Sequence, residues 1–144
     1  FKHVIPHLAE RFLNKESPFK IYGHDQTRAF CYIDDAVKGT VAAMENNKSN
    51  GQIYHIGTEE EINVEELNKE SGLFFNYSGQ YDNAPTYPGS KKRRWPDISK
   101  AKLELNYQTD VSWKDGLKLT LEWYKEFFSS GSSTFETSFK KPDA

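Results

Sequence analysis

The sequence predicts an α/β fold with short strands and about five helices. Apolar residues recur at helical spacing in several segments, which is the pattern of helices buried on one side. Short runs rich in β-branched and aromatic residues lie between these segments and favour strands, and glycine or proline marks most of the boundaries. A chain of 144 residues is long enough for one domain with a modest core, since domains usually have ~100–200 residues.

The helices are predicted from apolar spacing and from the polar residues that precede them. The first begins at Val4 and ends at Glu16-Ser17-Pro18, and the others span about Asp35 to Glu45, Asn63 to about Ser71 with Gly72 closing it, Ile98 to Leu105, and Ser112 to about Phe128. A carboxylate of Asp34 or Asp35 is predicted to cap the second helix. Asn63, Asp97 and Ser112 are predicted to cap the later ones.

The strands are predicted to be short and separated by turns. They are Phe19 to Tyr22, the run Phe30 to Ile33, and Gln52 to Ile56, with further extended structure in the aromatic segment from Phe74 to Tyr81 and a surface loop over residues 84–92. Ser129 to Ser133 is typical of a flexible linker. We therefore expect one folded domain over residues 1–128 and a flexible tail over residues 129–144.

The composition limits the classes of function. Nineteen Lys and Arg against 21 Asp and Glu give a net charge of −2, which argues against a nucleic-acid-binding surface. The single cysteine, Cys31, excludes an internal disulfide, and no apolar run approaches the ~20 residues of a membrane span. We expect a soluble cytoplasmic protein that binds neither nucleic acid nor membrane.

Aromatic residues make up 15% of the chain although hydrophobic residues reach only 36%. A module that binds a ring-bearing ligand would show this imbalance, and so would one that packs on a missing partner domain. An aromatic-rich core explains it equally well.

The segment from Ile21 to Asp35 has the pattern of a strand, a turn, a second strand and a helix start, with Arg28 at its centre. The planar fork of a guanidinium suits a diphosphate better than a lysine does. A surface ion pair with Asp34 or Asp35 is the alternative. A second basic segment is Lys91-Lys92-Arg93-Arg94. The alternative to phosphate binding is that these residues form a run of solvated surface charges.

Four blocks in order resemble the carboxyl-terminal half of the NAD-dependent nucleotide-sugar epimerase/dehydratase family, the extended short-chain dehydrogenases. They are Val4-Ile5-Pro6, then Ile21-Tyr22-Gly23 with Gln26-Thr27-Arg28-Ala29-Phe30-Cys31-Tyr32-Ile33-Asp34-Asp35-Ala36, then Ile53-Tyr54-His55-Ile56-Gly57, and Arg93-Arg94-Trp95-Pro96-Asp97-Ile98-Ser99-Lys100-Ala101. The match runs from Phe1 to about Phe128. The Gln-Thr-Arg-x-Phe and Arg-x-Pro-Asp wording is most similar to UDP-glucuronate decarboxylases and related epimerases.

The resemblance implies that this chain lacks the Gly-rich first half of the Rossmann domain. No dinucleotide fingerprint occurs, and Tyr87 with Lys91 has the spacing of the family's Tyr-x-x-x-Lys pair but is interrupted by Pro88-Gly89-Ser90. We therefore predict no catalytic, cofactor-binding or metal-binding residue here. NAD would be held by a missing amino-terminal half, a homodimer is possible, and the chain is expected to be a fragment or remnant that is not catalytic alone.

The resemblance also implies a set of substrate-binding residues. Arg28 would contact the diphosphate, and Arg94, preferred over Arg93, would contact phosphate or ribose. Val4, Lys20 and Tyr22 would frame the nucleobase, with plain packing as the alternative for each. His55 stands where many relatives have asparagine, and a satisfied, partly buried histidine is the alternative. The turn Gly23 to Gln26 is one residue shorter than the common form, which could shift Arg28.

The leading hypothesis is the substrate-binding part of an NAD-dependent nucleotide-sugar epimerase, dehydratase or decarboxylase, which grips the nucleotide diphosphate. In such an enzyme a hydride passes from a sugar carbon to NAD before epimerisation, dehydration or decarboxylation. A non-catalytic nucleotide-sugar-binding module and a self-associating interaction domain are the alternatives.

Overall fold

A computed structural model describes residues 3–86 and 88–130 of the chain. Its helices are α1 (Val4–Leu13), α2 (Ile33–Glu45), α3 (Val64–Phe74), α4 (Ser99–Leu105) and α5 (Trp113–Ser129), with a short 3-10 turn at Asn47–Ser49. Its strands are β1 (Phe19–Tyr22), β2 (Thr27–Ala29), β3 (Glu61–Asn63), β4 (Tyr81–Ala84) and β5 (Arg93–Arg94). Among these residues the predicted α/β fold with five helices is confirmed.

The strands form two small sheets. Strand β1 pairs with β4 in parallel. The other sheet has the order β3-β2-β5, in which β2 is antiparallel to β3 and parallel to β5. This second sheet joins three segments that are far apart in the sequence. No helix of the described residues is both long and apolar enough to cross a membrane.

The main core lies between α1, α3, α5 and strand β1. Its buried side chains are Leu8, Ala9, Phe12, Phe19, Ile62, Leu67, Trp113, Leu117 and Leu121. The rings of Phe12 and Phe19 stack with centroids 3.9 Å apart, and Tyr77 and Tyr81 meet Phe19 edge-on. The aromatic-rich core therefore accounts for much of the aromatic content. Most of the segment from Phe74 to Tyr81 fills this core and is not a strand.

A second core cluster holds α2 against α4. Its buried members are Ile98, Ala101, Leu105 and Tyr107, with Ala42, Ala43, Tyr54 and Ile56 packed against them. The predicted strand Gln52 to Ile56 is wrong, because these residues carry no strand. A strand needs a hydrogen-bonding neighbour, and no other segment among the described residues pairs with this one.

The predicted strand Phe30 to Ile33 is also wrong. The strand is Thr27–Ala29, so Arg28 lies within it, and α2 begins at Ile33. Pairing explains the shift, because β3 pairs with Thr27–Ala29, β5 pairs with Thr27 and Arg28, and none of the described strands pairs with residues 30–32.

The predicted carboxylate cap of α2 is wrong as well. Tyr32 occupies the N-cap position without a side-chain cap bond. The buried carboxylate of Asp35 instead accepts hydrogen bonds from the backbone N–H groups of Asp110 (2.9 Å) and Val111 (3.1 Å). This carboxylate ties the start of α2 to the loop that precedes α5.

The predicted caps at Asn63 and Ser112 are confirmed, but the predicted cap of α4 by Asp97 is wrong, because Ile98 occupies the N-cap position without a side-chain cap bond. The side chain of Asn63 accepts from the N–H of Glu65 at 2.6 Å, that of Asp97 from Ser99 at 2.9 Å, and that of Ser112 from Asp115 at 3.2 Å. Helix α5 includes Ser129, the first residue of the predicted tail. Residues 131–144 and Tyr87 lie outside the described residues.

Gly72 does not end α3, which continues to Phe74. A Cβ atom at this position would lie 1.9 Å from the Oη atom of Tyr81. Glycine is required here because the Tyr81 side chain of β4 packs closely against the helix, which makes Gly72 a packing residue and not a helix terminator.

Candidate functional site

The three-stranded sheet places Arg28 beside Arg94. The two residues are register partners in the parallel pair of β2 and β5. Neighbouring strands lie about 4.8 Å apart, and directly paired residues present their side chains on the same face. Two arginines from distant parts of the chain therefore lie next to each other on one face of the sheet.

Arg93 belongs to the opposite face, because successive residues of a strand alternate. Its Nε donates to Oε1 of Glu61 at 2.8 Å and its Nη2 donates to Oε2 at 2.7 Å. Thr27, the register partner of Arg93, donates from Oγ1 to Oε1 of Glu61 at 2.5 Å. The hydrogen bonds from Arg93 and Thr27 lower the pKa of Glu61 to about 2. The charge of Arg93 is thus neutralised within the fold.

The guanidinium of Arg28 is held in a fixed direction. Its Nη1 donates to the carbonyl of Thr27 and its Nη2 donates to Oε1 of Gln26, each at 2.6 Å. Gln26 is buried, and its Oε1 also accepts from the hydroxyl of Ser90 at 3.0 Å. Arg28 is partly buried and oriented before any ligand arrives.

The turn before β2 creates this arrangement. The N–H of Gln26 donates to the carbonyl of Gly23 at 2.9 Å, and Gly23 has a φ of +70°. A Cβ atom on Gly23 would lie 2.8 Å from Cδ of Gln26. Glycine is therefore needed both for the backbone conformation and for the space that the Gln26 side chain fills.

Arg94 contrasts with the other two arginines of the sheet. It is exposed, and its side chain makes no hydrogen bond or ion pair with residues 3–86 or 88–130. A cation with this exposure, next to the oriented Arg28, can turn toward an anion without breaking an internal contact.

Lys20 and Tyr22 share the exposed face of β1, which leads directly into the turn. The Tyr22 side chain is half-exposed, and its ring centroid lies 5.6 Å from the guanidinium carbon of Arg11. Arg11 also donates to the carbonyl of Lys20 at 2.7 Å and is bound to Glu16. These contacts hold the backbone of β1 as it approaches the turn.

Val4 lies elsewhere. It lines an apolar groove of about 730 Å³ between α1, α2 and α5, together with Phe30, Tyr32 and Trp123 among others. None of the other predicted site residues lines this groove. The structure therefore does not bring Val4 into the group around Arg28.

His55 is exposed and not partly buried as its alternative predicted. Its Nδ1 lies 3.3 Å from the carbonyl oxygen of Asp97, which follows β5 by a few residues. His55 therefore stands near the chain that continues from Arg94.

Several residues that orient the arginines were missed by sequence reasoning. They are Gln26, Thr27, Glu61, Ser90 and Trp95. Gln26 and Thr27 belong to the Gln-Thr-Arg motif, which could have indicated their role from the sequence. Glu61 gave no signal, because its role depends on strands that are paired over long sequence distances.

Cys31 has the properties of a structural thiol. Its Sγ lies 3.7 Å from the hydroxyl of Tyr107, which donates to the carbonyl of Gly57 at 2.8 Å. Burial raises the pKa of Cys31, which disfavours the reactive thiolate. Within residues 3–86 and 88–130 no group of three His, Cys, Asp or Glu side chains could hold a metal ion.

Comparison with known proteins identifies the family. The profile of the NAD dependent epimerase/dehydratase family matches residues 2–57. The UDP-N-acetyl-α-D-glucosaminuronate decarboxylase of Bacillus cytotoxicus is 35% identical over 130 residues, which cover 85% of this chain and 40% of that protein. The chain belongs to the NAD-dependent epimerase/dehydratase family.

Solved structures of the family have the same fold. The UDP-glucuronic acid 4-epimerase of Bacillus cereus, in complex with UDP-glucuronic acid and NAD, is 33% identical with a TM-score of 0.79, covering 88% of this chain and 40% of that one. The UDP-glucose 4-epimerase of Thermotoga maritima, with UDP-glucose, is 29% identical with a TM-score of 0.77 and the same coverage. The chain spans about 40% of these family members and corresponds to the carboxyl-terminal portion of the extended short-chain dehydrogenase fold, as predicted.

Proposed function

We propose that this chain supplies the diphosphate grip of an NAD-dependent nucleotide-sugar enzyme. The observation that carries the proposal is the register pairing of Arg28 with Arg94 on one face of the sheet. A nucleotide sugar presents two adjacent anionic phosphates, and two neighbouring guanidinium groups match them in charge and donor geometry.

The two arginines have different parts in this proposal. Arg28, oriented by Gln26, offers a preformed contact that costs little conformational entropy on binding. Arg94 is exposed and closes on the second phosphate. Arg93 is assigned a structural role, because its charge is already bound by Glu61 on the other face.

The remaining predicted residues lie on either side of this pair. Lys20 and Tyr22 are proposed to frame the nucleobase, because the exposed face of β1 leads into the turn that holds Arg28. His55 is proposed to face the ribose or sugar beyond β5. The proposal does not extend to Val4, which lines the separate groove.

Holding the diphosphate would fix the sugar relative to the rest of the enzyme. In such an enzyme NAD would be held outside this chain and would accept the hydride. The contribution of this chain is to position the substrate, which lowers the entropic cost of reaction.

Calorimetry of the 144-residue chain with UDP and UDP-glucuronic acid tests the proposal. Arg28→Ala and Arg94→Ala should each raise the Kd roughly 10- to 150-fold, the effect of losing a charge-assisted hydrogen bond of about 1.5–3 kcal/mol. Lys38→Ala is the matched control, because it removes one positive charge from an exposed side chain that lies on α2, outside the three-stranded sheet, and is bound to Asp110. It should leave the Kd nearly unchanged.

Two outcomes would count against the diphosphate role. In the first, the wild type binds the ligand, and Arg28→Ala and Arg94→Ala change the Kd no more than Lys38→Ala does. The other is a folded chain, verified by circular dichroism, that binds neither ligand.

An interaction role is the second candidate, and the surface of α2 favours it. Four apolar side chains lie along one exposed stripe of this helix, with exposed fractions of 62% for Ile33, 52% for Val37, 42% for Val41 and 80% for Met44. Ile33 also lines the apolar groove, so the stripe and the groove adjoin. Apolar patches of this kind mark contact surfaces.

A further inference from the structure

The face of the three-stranded sheet opposite Arg28 and Arg94 carries a clamp formed by Glu61, Thr27, Arg93 and Trp95. Glu61 accepts from Arg93 through both carboxylate oxygens, and its side chain is only 24% exposed. The guanidinium carbon of Arg93 lies 4.8 Å from the ring centroid of Trp95. The indole Nε1 of Trp95 donates in turn to the carbonyl of Glu59 at 3.0 Å. The four side chains form one connected group.

This clamp spans the whole sheet. Glu61 lies on β3, Thr27 on the central strand β2, and Arg93 on β5. Strand β5 has two residues and pairs only with β2 among the described strands. So short a strand has few backbone hydrogen bonds to fix its register. The side-chain hydrogen bonds of the clamp add to them.

We propose that Glu61 is a positioning residue, which clamps Arg93 and thereby fixes β5 so that Arg94 points at the diphosphate beside Arg28. The inference rests on the proposed function. It extends that function to a carboxylate that would not touch the substrate. Because Arg93 and Arg94 are consecutive and on opposite faces, fixing the first determines where the second can reach.

A purely electrostatic role for Glu61 predicts the opposite effect. Removing a negative charge close to an anion-binding site should strengthen binding. Loss of the clamp should weaken binding, because Arg94 would no longer be held in register. The sign of the change in affinity therefore separates the two roles.

The test measures UDP binding to the 144-residue chain by calorimetry, with Glu61→Gln as the main variant. We expect its Kd to rise roughly 3- to 30-fold, in the range of coupling between residues of one network. Glu59→Gln is the matched control. It removes the same charge two positions away, from a side chain that is bound to Lys102 and not to Arg93. It should leave the Kd unchanged or slightly lower.

A double-mutant cycle gives a readout that general destabilisation would not produce. In the Arg94→Ala background, Glu61→Gln should cause no further loss of affinity, since the residue through which it acts is absent. Thr27→Val, which removes the hydroxyl donor to Glu61 and keeps the side-chain shape, should cause a smaller loss in the same direction. If Glu61→Gln does not fold, Thr27→Val tests the positioning role in its place.

The outcomes distinguish this inference from the proposed function. If Arg94→Ala leaves UDP binding intact, the proposed function fails. If Arg94→Ala weakens binding but Glu61→Gln and Thr27→Val do not, the positioning role alone is overturned. Equal losses from Glu61→Gln with and without Arg94 would also overturn it.

Discussion

Gly23 is the residue on which the orientation of Arg28 depends most directly. Its φ of +70° is unfavourable for other residues, and a Cβ atom would meet Cδ of Gln26 at 2.8 Å. Gly23→Ala should therefore lower the free energy of unfolding by about 1–2 kcal/mol. It should also weaken UDP binding, because a displaced Gln26 no longer holds the guanidinium of Arg28. Urea denaturation and calorimetry measure the two effects.

Gly51 offers a control with the same backbone conformation. Its φ is also +70°, and nothing lies within 4 Å of a Cβ atom built there. Gly51→Ala should cause a similar backbone cost without any change in UDP affinity. Equal losses of affinity in the two variants would show that Gln26 does not transmit the effect to Arg28.

The sequence points to the arginines as candidate site residues, which stays a prediction, but it does not point to the residues that orient them. Arg28 and Arg94 could be proposed as substrate-binding residues because the Gln-Thr-Arg and Arg-x-Pro-Asp motifs are local in the sequence. The preference for Arg94 over Arg93 agrees with the strand register, although its contact with phosphate stays a prediction. Glu61 could not be found, since its bond to Arg93 depends on three separate segments meeting in one sheet.

At the scale of elements, the contact between α3 and β4 depends on Gly72. A Cβ atom there would lie 1.9 Å from Oη of Tyr81 and 3.2 Å from its Cζ. Gly72→Ala should destabilise the protein by about 1–3 kcal/mol, as overpacked cores do. In a Tyr81→Phe background the cost should be smaller, because the clashing oxygen is gone and only the closer-than-usual contact with Cζ remains. Thermal unfolding of the four proteins checks this, and an unchanged cost in both backgrounds would contradict it.

The three-stranded sheet should lose part of its stability in acid. Hydrogen bonds from Arg93 and Thr27 lower the pKa of Glu61 from 4.5 to about 2. A lowered carboxyl pKa means that the stabilisation is complete above the unfolded-state value, near 4.5, and is lost as the pH falls toward 2. The difference in urea midpoint between wild type and Glu61→Gln should therefore shrink from pH 7 to pH 3. A difference that grows on acidification would contradict this assignment.

Helices were predicted more accurately than strands for a physical reason. Apolar spacing is local, so the start of α1 at Val4 could be predicted although its N-cap makes no side-chain bond. The cap of α5 is local too, because Ser112 accepts from the N–H of Asp115 three residues later. Strands depend on partners. The aromatic run from Phe30 to Ile33 has the composition of a strand, but β3 and β5 pair with residues of β2 instead.

On the scale of the whole molecule, the fold leaves apolar surface uncovered. The segment Gln52 to Ile56 has strand composition without a strand neighbour among the described residues, and Ile53 is 81% exposed. Helix α2 is apolar on two opposite sides, since Ala42 and Ala43 join the second core cluster while Val37 and Met44 face solvent. The chain spans only about 40% of the length of its relatives. Other parts of those proteins could cover the surface that corresponds to this one.

This surface should make the 144-residue chain self-associate. Val37→Lys with Met44→Lys puts two charges on the stripe of α2, where both side chains are more than half exposed, so folding should be unaffected. Sedimentation velocity over a dilution series should show association in the wild type that weakens in the double variant. Asn50→Lys, an exposed turn residue beyond the helix, controls for added charge and should leave association unchanged. A wild-type chain that sediments as a monomer throughout the series would remove the self-association role, and the diphosphate grip would stand with the positioning role of Glu61 that depends on it.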